Sequence, residues 1–506
     1  MDRNSANNKI LFVSPPSRAF NHYRPPLALM YLSGYLKKQG VAAKIIDCII
    51  QDQVRSKSFE KNKDRYLTDV RDNMLKQIIE AETDIVCITC YTPELPEVEV
   101  LAAQIKKKNS NIKIIAGGVH PTFYPEHLIY EGSNFDFVVV GEGEVTLFEL
   151  IKAIRSDSND YGLIEGIAYL DVEKNKLVKN KGRILAEDLD EISFPDYADL
   201  DMDFYTTASP YAIRGVFSKS FYVLSSRGCP SSCTFCVSKK IREFYAGEKF
   251  VRLRSPESLF REVKELREKY KIDSFYFIDD LFTLKKDHVG EFCRLMIDDK
   301  SPLIWGCSSK VNTVDYEMLK NMADAGCVQI DFGVEKGTDS ELKQLKKGIT
   351  IAQIKKTFDI CRKLGIRTFA NMLVNTPAEQ EADLKSSLTF VQRLRPTIVS
   401  FNVFAPYPGC EIFDRCCENI TRDDYPDLMN TVLLIKDKPE KYRFAEHSVD
   451  LLDWVIKANK KYNLIFPNLR IYFSWKYIKN ILRSRCKMEY VKGSVSLVKE
   501  FINQKF

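Results

Sequence analysis

Short apolar runs of strand length alternate with helical stretches along most of this chain, and they fall into two series. The first series predicts five strands, at 10–13, 43–46, 84–89, 113–116 and 135–140. The second series predicts six strands, at 220–226, 274–279, 303–307, 328–332, 368–374 and 398–404. Near-continuous apolarity is typical of parallel strands covered by helices on both faces. The chain is therefore expected to be an α/β protein with two parallel-sheet domains.

The two series also predict the domain boundaries. Residues 1–160 are expected to form a doubly wound, Rossmann-like sheet, which binds ligands at the carboxyl ends of its strands. Residues 216–430 carry six β–α units and predict a partial or full β/α barrel. Residues 161–215 are expected to be a linker with a hairpin, and residues 431–506 a helical, basic C-terminal extension.

Composition limits the class of protein. The 506 residues are 45% hydrophobic, which suits a globular chain of about three domains. The start is polar and no run of about 18 apolar residues occurs, so neither a signal peptide nor a membrane-spanning helix is predicted. Fourteen cysteines without an export signal indicate reduced thiols in the cytoplasm, available for metals.

Three cysteines, Cys229, Cys233 and Cys236, lie in one loop with the spacing C-x3-C-x2-C. The loop follows the first strand of the second series, at the barrel edge where active sites gather. Three thiolates can hold a cluster of four irons and leave one iron open to a small molecule. Structural zinc is the alternative, but such sites usually have four protein ligands, and no fourth Cys or His lies close by in sequence.

Glycine-rich loops follow the predicted strands of the first domain, and glycine lets a backbone approach a ligand closely. Two of them read Gly117-Gly118-Val119-His120-Pro121-Thr122 and Gly141-Glu142-Gly143-Glu144-Val145-Thr146. The candidate cofactor-binding residues are Pro15, Thr89, Gly117, Gly118, His120, Thr122, Gly141, Glu142 and Gly143. Similar turns occur in sheets of this type without a cofactor, so the loops alone leave binding open.

Together these motifs resemble the cobalamin-dependent (class B type) radical S-adenosylmethionine (SAM) enzymes, in which a cobalamin-binding-like domain precedes the radical SAM barrel. The resemblance covers about residues 9–430 in the correct order. It includes the C-x3-C-x-aromatic-C spacing, the loops G-G-V-H-P-T and G-E-G-E-V-T, and the acidic connector at 189–197.

The resemblance implies three cofactors: a 4Fe–4S cluster on the three loop cysteines, SAM on the open iron, and cobalamin. It places Phe235 near the adenine, Asp279 with its neighbour Asp280 on the methionine amino group, and Glu335 on the ribose or as an orienting group. The family usually has arginine and serine where this chain has Lys310 and Lys336. None of the histidines lies in the D-x-H-x-x-G motif that ligates cobalt in the older cobalamin fold.

The implied activity is cleavage of SAM to a 5′-deoxyadenosyl radical, followed by methyl transfer from cobalamin to an unactivated carbon of an unknown substrate. The alternative within the family is cyclisation, oxidation or rearrangement of a tetrapyrrole or lipid without methyl transfer. A cobalamin sensor with a structural metal and no turnover is the remote alternative. The expected partners are a small-molecule or lipid-like substrate and an electron donor such as flavodoxin or ferredoxin.

The C-terminal extension carries most of the positive charge. Residues 461–506 contain ten basic and two acidic residues, against a net charge of +6 for the whole chain. A helical cap with a solvated basic face is expected, and peripheral contact with the inner face of an anionic membrane is the alternative. No nucleic-acid partner is expected, because no recognised module accompanies the charge.

Two other groups of cysteines could be taken for metal sites. Cys87 and Cys90 straddle a predicted strand end, and Cys410, Cys416 and Cys417 follow the last barrel strand. Side chains three apart on a strand point to opposite faces, which makes joint ligation by the first pair awkward. Both groups are expected to be structural thiols.

Overall fold

The computed structural model describes residues 10–16, 24–49, 63–156, 160–245, 249–462 and 478. The chain forms two compact units. The first unit comprises Met1–Ala186, Glu191–Met202 and Ile420–Asn430, and the second comprises Glu187–Asp190, Asp203–Asn419 and Thr431–Phe506.

The first unit contains a seven-stranded sheet in the order β2-β1-β3-β4-β5-β6-β7. Its strands are β1 (Ile10–Ser14), β2 (Ala43–Asp47), β3 (Ile85–Thr89), β4 (Lys113–Gly117), β5 (Phe137–Val139), β6 (Ile167–Asp171) and β7 (Lys176–Lys179). Its helices are α1 (Leu27–Lys38), α2 (Lys63–Glu80), α3 (Leu95–Lys108), α4 (Val119–Phe123) and α5 (Glu144–Arg155). The strands β1 to β5 pair in parallel, which confirms the predicted doubly wound sheet.

The hairpin of β6 and β7 lies within this sheet, because β6 pairs antiparallel with β5. The stretch expected to be a linker therefore contributes two strands to the first unit. Residues 420–430, expected to end the barrel domain, also belong to the first unit. They form the 3₁₀ segment Arg422–Asn430 and the two residues before it.

The second unit contains a six-stranded sheet in the order β15-β14-β13-β12-β11-β8, all parallel. Its strands are β8 (Ser220–Val223), β11 (Ser274–Phe277), β12 (Ile304–Ser309), β13 (Cys327–Glu335), β14 (Arg367–Val374) and β15 (Ile398–Val403). The short strands β9 (Ser226–Arg227) and β10 (Arg252–Leu253) form a separate antiparallel pair. All six predicted barrel strands are present with their ends within three residues, which confirms a partial β/α barrel.

Helices precede, separate and follow the barrel strands. They are α6 (Met202–Tyr205), α7 (Ser238–Phe244), α8 (Pro256–Tyr270), α9 (Lys286–Asp298), α10 (Tyr316–Asp324), α11 (Asp339–Gln344), α12 (Ile351–Leu364), α13 (Glu381–Leu394), α14 (Glu411–Cys416), α15 (Thr431–Asp437), α16 (Pro439–Tyr442) and α17 (Leu451–Tyr462). The start of α8 is fixed by its own sequence: the Ser255 hydroxyl accepts from the Ser258 amide, and Pro256 occupies the first turn.

The barrel core lies between the sheet and its helices. Phe277 stacks on Phe282 with ring centroids 4.2 Å apart, and Trp305 stacks on Phe275 at 6.0 Å. Phe292 from α9 meets these rings edge-on. Burying each such ring stabilises the fold by roughly 1.5–3 kcal/mol, so the face of the sheet toward the helices is fixed by apolar packing.

The opposite, inner face of the barrel sheet is polar. Asp331 accepts from the Arg214 guanidinium at 3.1 Å, and the Tyr276 hydroxyl bonds Ser308 at 3.1 Å. One layer nearer the carboxyl ends, Asn371 on β14 lies beside Ser400 on β15, and both are partly exposed. The sheet therefore presents hydrogen-bonding groups on the face that its helices leave uncovered.

No helix in the described part of the chain combines the length and apolarity of a membrane span. Most of the basic, aromatic stretch at 461–506 lies outside the described residues, so neither expectation for the tail has a structural counterpart here.

Candidate functional site

The three-cysteine loop leaves the carboxyl end of β8 and runs through β9 to the start of α7. Cys233 is buried, whereas Cys229 and Cys236 are partly exposed. Gly228 begins the turn with φ +92°, and a Cβ there would lie 2.6 Å from the Phe250 carbonyl oxygen. Only glycine fits this position, because an L side chain would be strained in φ and would also collide with backbone.

Arg242 on α7 holds the loop from one side. Its guanidinium donates to the carbonyl oxygens of Pro230 at 2.6 Å, Ser231 at 3.2 Å and Cys229 at 3.4 Å. It also donates to the Ser232 hydroxyl at 2.7 Å. A guanidinium has five donors in a rigid fork, so one side chain fixes four consecutive residues of the loop.

The far end of the loop is held by backbone bonds to two other loops. The Thr234 amide donates to the Leu345 carbonyl at 3.1 Å, and the Ile412 amide donates to the Thr234 carbonyl at 3.0 Å. Phe235 packs against the buried cluster formed by Leu345, Phe404, Cys410 and Ile412. The cysteine loop is therefore tied to the loops that follow β13 and β15.

Two lysines face the cysteines. Lys310, just after β12, donates to the Ser231 hydroxyl at 3.2 Å, and Lys347 holds its ammonium 5.7 Å from the centroid of the Phe235 ring. Burial raises the pKa of the Cys233 thiol, and the positive charges of Lys347 and Lys310 oppose that rise. The site is thus built to stabilise negative charge on its sulfur atoms.

Glu335 lies at the end of β13 with φ +68° and binds Lys347 at 2.8 Å. A Cβ on Gly333 would come within 2.5 Å of both Glu335 Oε1 and Lys347 Nζ. The ion pair therefore occupies the space that a side chain at position 333 would need. The next residue, Lys336, turns away into the interior, where it pairs with Glu379. The departure from the usual family residue at this position therefore makes a buried ion pair behind the site.

Asp279 follows β11 and is buried. Its Oδ1 accepts from the Ser225 amide at 2.9 Å and from the hydroxyls of Ser225 and Ser226 at 2.9 and 2.6 Å. Burial raises the pKa of Asp279 to about 6, and these bonds moderate the rise. Asp279 thus anchors the start of the cysteine loop, and its contact with the methionine amino group stays a prediction.

The neighbouring Asp280 is exposed and reaches Ser238 at the start of α7 through a side-chain hydrogen bond. The Ser238 hydroxyl in turn lies 3.3 Å from the Cys236 sulfur. Of the predicted barrel residues, the structure brings the three cysteines, Phe235 and Glu335 together, with Asp279 and Asp280 supporting the loop.

In the first unit, the predicted loops meet at the carboxyl edge of the sheet. The Thr122 hydroxyl donates to the Gly118 carbonyl at 2.7 Å and accepts from the Gly141 amide at 3.0 Å, which links the loops after β4 and β5. Gly118 has φ +116°, and a Cβ there would lie 2.9 Å from the Cys90 carbonyl oxygen. Thr89 and Gly117 end neighbouring strands, Gly143 packs on Leu32, and Pro15 is buried after β1.

His120 is buried, and both ring nitrogens have partners. Nδ1 lies 3.1 Å from the Thr92 hydroxyl and Nε2 lies 3.2 Å from His127 Nδ1. Burial, with the nearby His127 and Arg422, lowers the pKa of His120 to about 3. A neutral imidazole with both nitrogens engaged has none left to coordinate cobalt, so His120 supports the loop from within.

The segment 420–430 packs on these same loops. Arg422 forms an ion pair with Glu99 on α3 and donates to the His127 carbonyl at 3.3 Å. The Tyr425 ring meets His120 edge-on at 5.8 Å. Nothing in the local sequence indicated this role, because these residues return to the first unit from a distant part of the chain.

Comparisons with known proteins follow the same division. Residues 18–151 match the B12 binding domain family, and residues 223–391 match the Radical SAM superfamily. An uncharacterized methyltransferase of Pyrococcus horikoshii, PH0819, is 30% identical over 418 residues, covering 81% of this chain and 83% of that protein. The chain belongs to the cobalamin-dependent radical SAM family.

Two further proteins that are similar to this radical SAM protein are a cyclase and a methyltransferase. The anaerobic magnesium-protoporphyrin IX monomethyl ester cyclase of Rubrivivax gelatinosus is 26% identical over 473 residues, 93% of this chain and 78% of the cyclase. The radical SAM methyltransferase TsrM of Kitasatospora setae has the same fold, with a TM-score of 0.64 at 18% identity over 82% of this chain and 76% of TsrM.

The family's cofactors are a 4Fe–4S cluster, SAM and cobalamin. The residues present fit the cluster: three cysteines on a loop pinned by Arg242, with two ammonium groups facing them. Among the described residues, no three Cys, His, Asp or Glu side chains lie close enough together to share one metal ion. In a cubane cluster each thiolate binds a different iron, so its ligands need not converge on a single point.

Four of the five remaining cysteines named above are buried in the fold of this radical SAM protein. Cys87 and Cys90 are buried, and burial raises the pKa of both thiols. Cys410 is buried at the start of α14, where its sulfur accepts from the Phe413 amide at 3.3 Å. Cys417 is buried and Cys416 exposed. These positions agree with structural thiols.

Sequence reasoning missed Arg242 and Lys347 as parts of the radical SAM site. Lys347 lies in the segment Lys346-Lys347-Gly348, and nothing in that segment distinguishes the buried lysine from its exposed neighbour. Arg242 is one basic residue among several in α7. Its role depends on which face of that helix meets the loop, which the local sequence does not state.

Proposed function

We propose that this chain is a cobalamin-dependent radical SAM C-methyltransferase that acts on a small polar molecule. The observation that carries the proposal is the three-cysteine loop at the carboxyl edge of the barrel sheet, with Lys310 and Lys347 turned toward it. Methyl transfer is favoured over other radical chemistry because the relative that is 30% identical over 418 residues is described as a methyltransferase.

In this proposal Cys229, Cys233 and Cys236 hold the cluster. When bound, the cluster supplies the electron that cleaves SAM, and cobalamin supplies the methyl group. The protein's part is to place these groups and to exclude water from them. Arg242 and Asp279 fix the two ends of the turn before Cys233, and the Lys347–Glu335 pair borders the place where SAM would bind.

The polar inner face of the barrel favours a small polar substrate over a lipid or a large apolar ring. Asn371 and Ser400 are partly exposed there, and Tyr276 and Ser308 lie deeper. Tyr276 and Ser308 bond each other, and the Ser400 hydroxyl bonds Asn402. An apolar substrate would remove water from the Asn371 amide without replacing its hydrogen bonds, at a cost of about 1–3 kcal/mol. A substrate with several hydroxyl, amide or phosphate groups would satisfy them.

Radical cyclisation without methyl transfer is the second candidate. It is favoured by the magnesium-protoporphyrin cyclase of Rubrivivax gelatinosus, whose match extends over 93% of this chain. Both candidates use the same cysteines, so the product separates them.

The partners of the proposed enzyme are a one-electron donor and the substrate. A flavodoxin or ferredoxin would supply the electron, because the cluster must be reduced before it can cleave SAM. Contact of the basic tail with an anionic membrane stays a prediction, to be abandoned if full-length and tail-truncated proteins sediment equally little with anionic liposomes.

The deciding experiment uses anaerobically reconstituted full-length protein, a strong reductant and SAM labelled with deuterium in its methyl group. The proposal expects bound iron and corrinoid, formation of 5′-deoxyadenosine, and one labelled methyl group on a small polar product from a metabolite extract. Products that change without gaining the label would favour cyclisation or oxidation. A protein with a full cluster and bound SAM that forms no 5′-deoxyadenosine would refute the enzymatic assignment.

A further inference from the structure

The two lysines that face the cysteine loop differ in whether a carboxylate neutralises their charge. Lys347 is buried against Glu335 at 2.8 Å, so its positive charge is compensated by a carboxylate. Lys310 donates to the neutral hydroxyl of Ser231 at 3.2 Å. Within the described part of the chain Lys310 has no carboxylate partner, so its full charge faces the loop.

The Lys310 side chain is hydrogen-bonded to the cysteine loop on one side and lies close to a second loop on the other. Ser231, its hydrogen-bond partner, lies between Cys229 and Cys233 in the loop that Arg242 fixes. On the other side, the side-chain Nδ2 of Asn312 donates to the Gly348 carbonyl at 3.0 Å, which ties the loop after β12 to the loop that carries Lys347. A Cβ on Gly348 would lie 3.6 Å from the Lys310 ammonium, so the two loops are in close contact there.

A fixed positive charge beside an iron–sulfur cluster changes the equilibrium for its reduction. One electron from an external low-potential donor enters the cluster, and the total charge of the cluster and its thiolates becomes more negative by one unit. A nearby ammonium stabilises the reduced state more than the oxidised state, and the effect is larger where water is partly excluded. Hydrogen bonds, net charge and solvent exposure are the usual determinants of cluster potential.

We propose that the ammonium of Lys310 raises the reduction potential of the cluster held by Cys229, Cys233 and Cys236, and so makes the one-electron reduction that precedes SAM cleavage easier. This inference rests on the proposed function in one respect, the assignment of those cysteines as the cluster ligands. Its sign is set by charge: removing Lys310 lowers the potential, whereas removing the negative charge of Glu335 raises it.

The test is an EPR-monitored redox titration of the reconstituted full-length protein without SAM or substrate. Lys310→Met is expected to shift the reduction equilibrium at least tenfold toward the oxidised cluster, about 59 mV for a one-electron couple. Lys310→Arg keeps the charge and is expected to leave the potential unchanged. Glu335→Gln is expected to shift it in the opposite direction from Lys310→Met.

Lys346→Met is the matched control, because Lys346 is next to Lys347 in sequence but is exposed, and its ammonium pairs with Glu411. It is expected to leave the potential unchanged. A Lys310→Met protein with a full cluster and the wild-type potential would overturn the proposal, and so would equal shifts in the Met and Arg variants.

Cluster content is measured on every variant. If Lys310→Met assembles no cluster, Lys310→Gln is titrated in its place. Loss of the cluster in both neutral variants, with retention in Lys310→Arg, would assign Lys310 to cluster assembly and overturn the proposal. An unchanged potential leaves the methyltransferase assignment intact, whereas a wild-type protein that binds no cluster fails the assignment before any variant is compared.

Discussion

Gly228 shows how strongly a single position controls the cysteine loop. Its φ of +92°, and the Phe250 carbonyl oxygen 2.6 Å from where a Cβ would lie, leave no room for a side chain. We expect Gly228→Ala to displace the loop at a cost of about 1–3 kcal/mol, and to lower the iron bound per chain severalfold after reconstitution. Iron and sulfide analysis measures this directly.

The matched control for that change is Gly290→Ala. Gly290 lies in α9, and a Cβ there would have no neighbour within 4 Å. Alanine is favoured over glycine within a helix by about 1 kcal/mol, so this variant should bind as much iron as the wild type and unfold at the same or a higher temperature. Equal iron content in both variants would show that the loop tolerates a side chain at 228.

His120 gives the first unit a pH dependence of stability. The pKa of its imidazole is about 3 in the folded protein, against an ordinary value of 6.5, because the ring is buried. Below pH 6.5 the His120 imidazole is protonated in the unfolded chain but stays neutral in the folded protein. The free energy of unfolding therefore falls as pH is lowered. At pH 5 the expected loss is about 2 kcal/mol.

We therefore expect the unfolding temperature of the wild type to fall more steeply between pH 7.5 and pH 5 than that of His120→Gln. The glutamine side chain can still hydrogen-bond Thr92 but has no charge to gain. Thermal unfolding followed by circular dichroism at the two pH values is the measurement. An equal fall in unfolding temperature in both proteins would mean that burial does not lower the pKa of the His120 ring.

At the scale of the element, α7 acts as a clamp on the loop that precedes it. Arg242 is its contact residue, with three carbonyl oxygens and one hydroxyl as acceptors. Hydrogen bonds from a charged donor contribute about 1.5–3 kcal/mol each when they are not replaced by water. Because these carbonyls lie in a partly exposed loop, water can replace some of them, and the fold should survive the loss of the side chain.

We expect Arg242→Met to release iron to a chelator about 10 to 100 times faster than the wild type, with Arg242→Lys in between because lysine lacks the fork. The control is Arg294→Met, on the exposed face of α9, where the guanidinium contacts Glu291 and Asp298 of the same helix. Equal release rates in all three variants and the wild type would show that Arg242 does not slow the loss of iron from the loop.

The elements themselves were largely predictable from the sequence. Buried parallel strands are apolar on both faces, so their apolar runs are visible in the sequence, and the predicted bounds of β1 and β14 lie within one residue of the observed ones. The strand β13 extends three residues past its predicted end. The prediction stops early because glycine and glutamate, at positions 333 and 335, are poor strand formers. In the structure Glu335 is held by its ion pair with Lys347. The hairpin of β6 and β7 could be recognised, but its attachment to β5 is a tertiary pairing that no local pattern encodes.

The candidate site was predictable only in part for the same reason. The cysteines share one loop, and their spacing is visible in the sequence. Lys310 and Lys347 come from two loops 37 positions apart, and only the sheet register brings both to the cysteine loop. The return of residues 420–430 to the first unit depends on Arg422 meeting Glu99, two residues more than 300 positions apart.

At the scale of the whole molecule, each cofactor is assigned to a unit with its own sheet and its own core. The loops predicted to contact cobalamin are joined to one another through Thr122 and Gly118, and no cysteine of the 229–236 loop takes part in those bonds. The cluster loop is held by Arg242, Asp279 and Leu345, all in the second unit. Binding of the two cofactors should therefore be separable by mutation.

We expect the variant with Cys229, Cys233 and Cys236 all changed to alanine to bind no iron but to retain corrinoid at the wild-type level. The reverse experiment uses Gly118→Val. A Cβ at this position would lie 2.9 Å from the Cys90 carbonyl oxygen, and the backbone has φ +116°. Because a β-branched residue is strained in this conformation, the loop must move, and corrinoid binding should fall at least tenfold with iron content unchanged. Iron analysis and the corrinoid absorption spectrum of the same samples measure both. Loss of corrinoid from the cysteine variant would show that cluster assembly is required for the first unit to take up its cofactor.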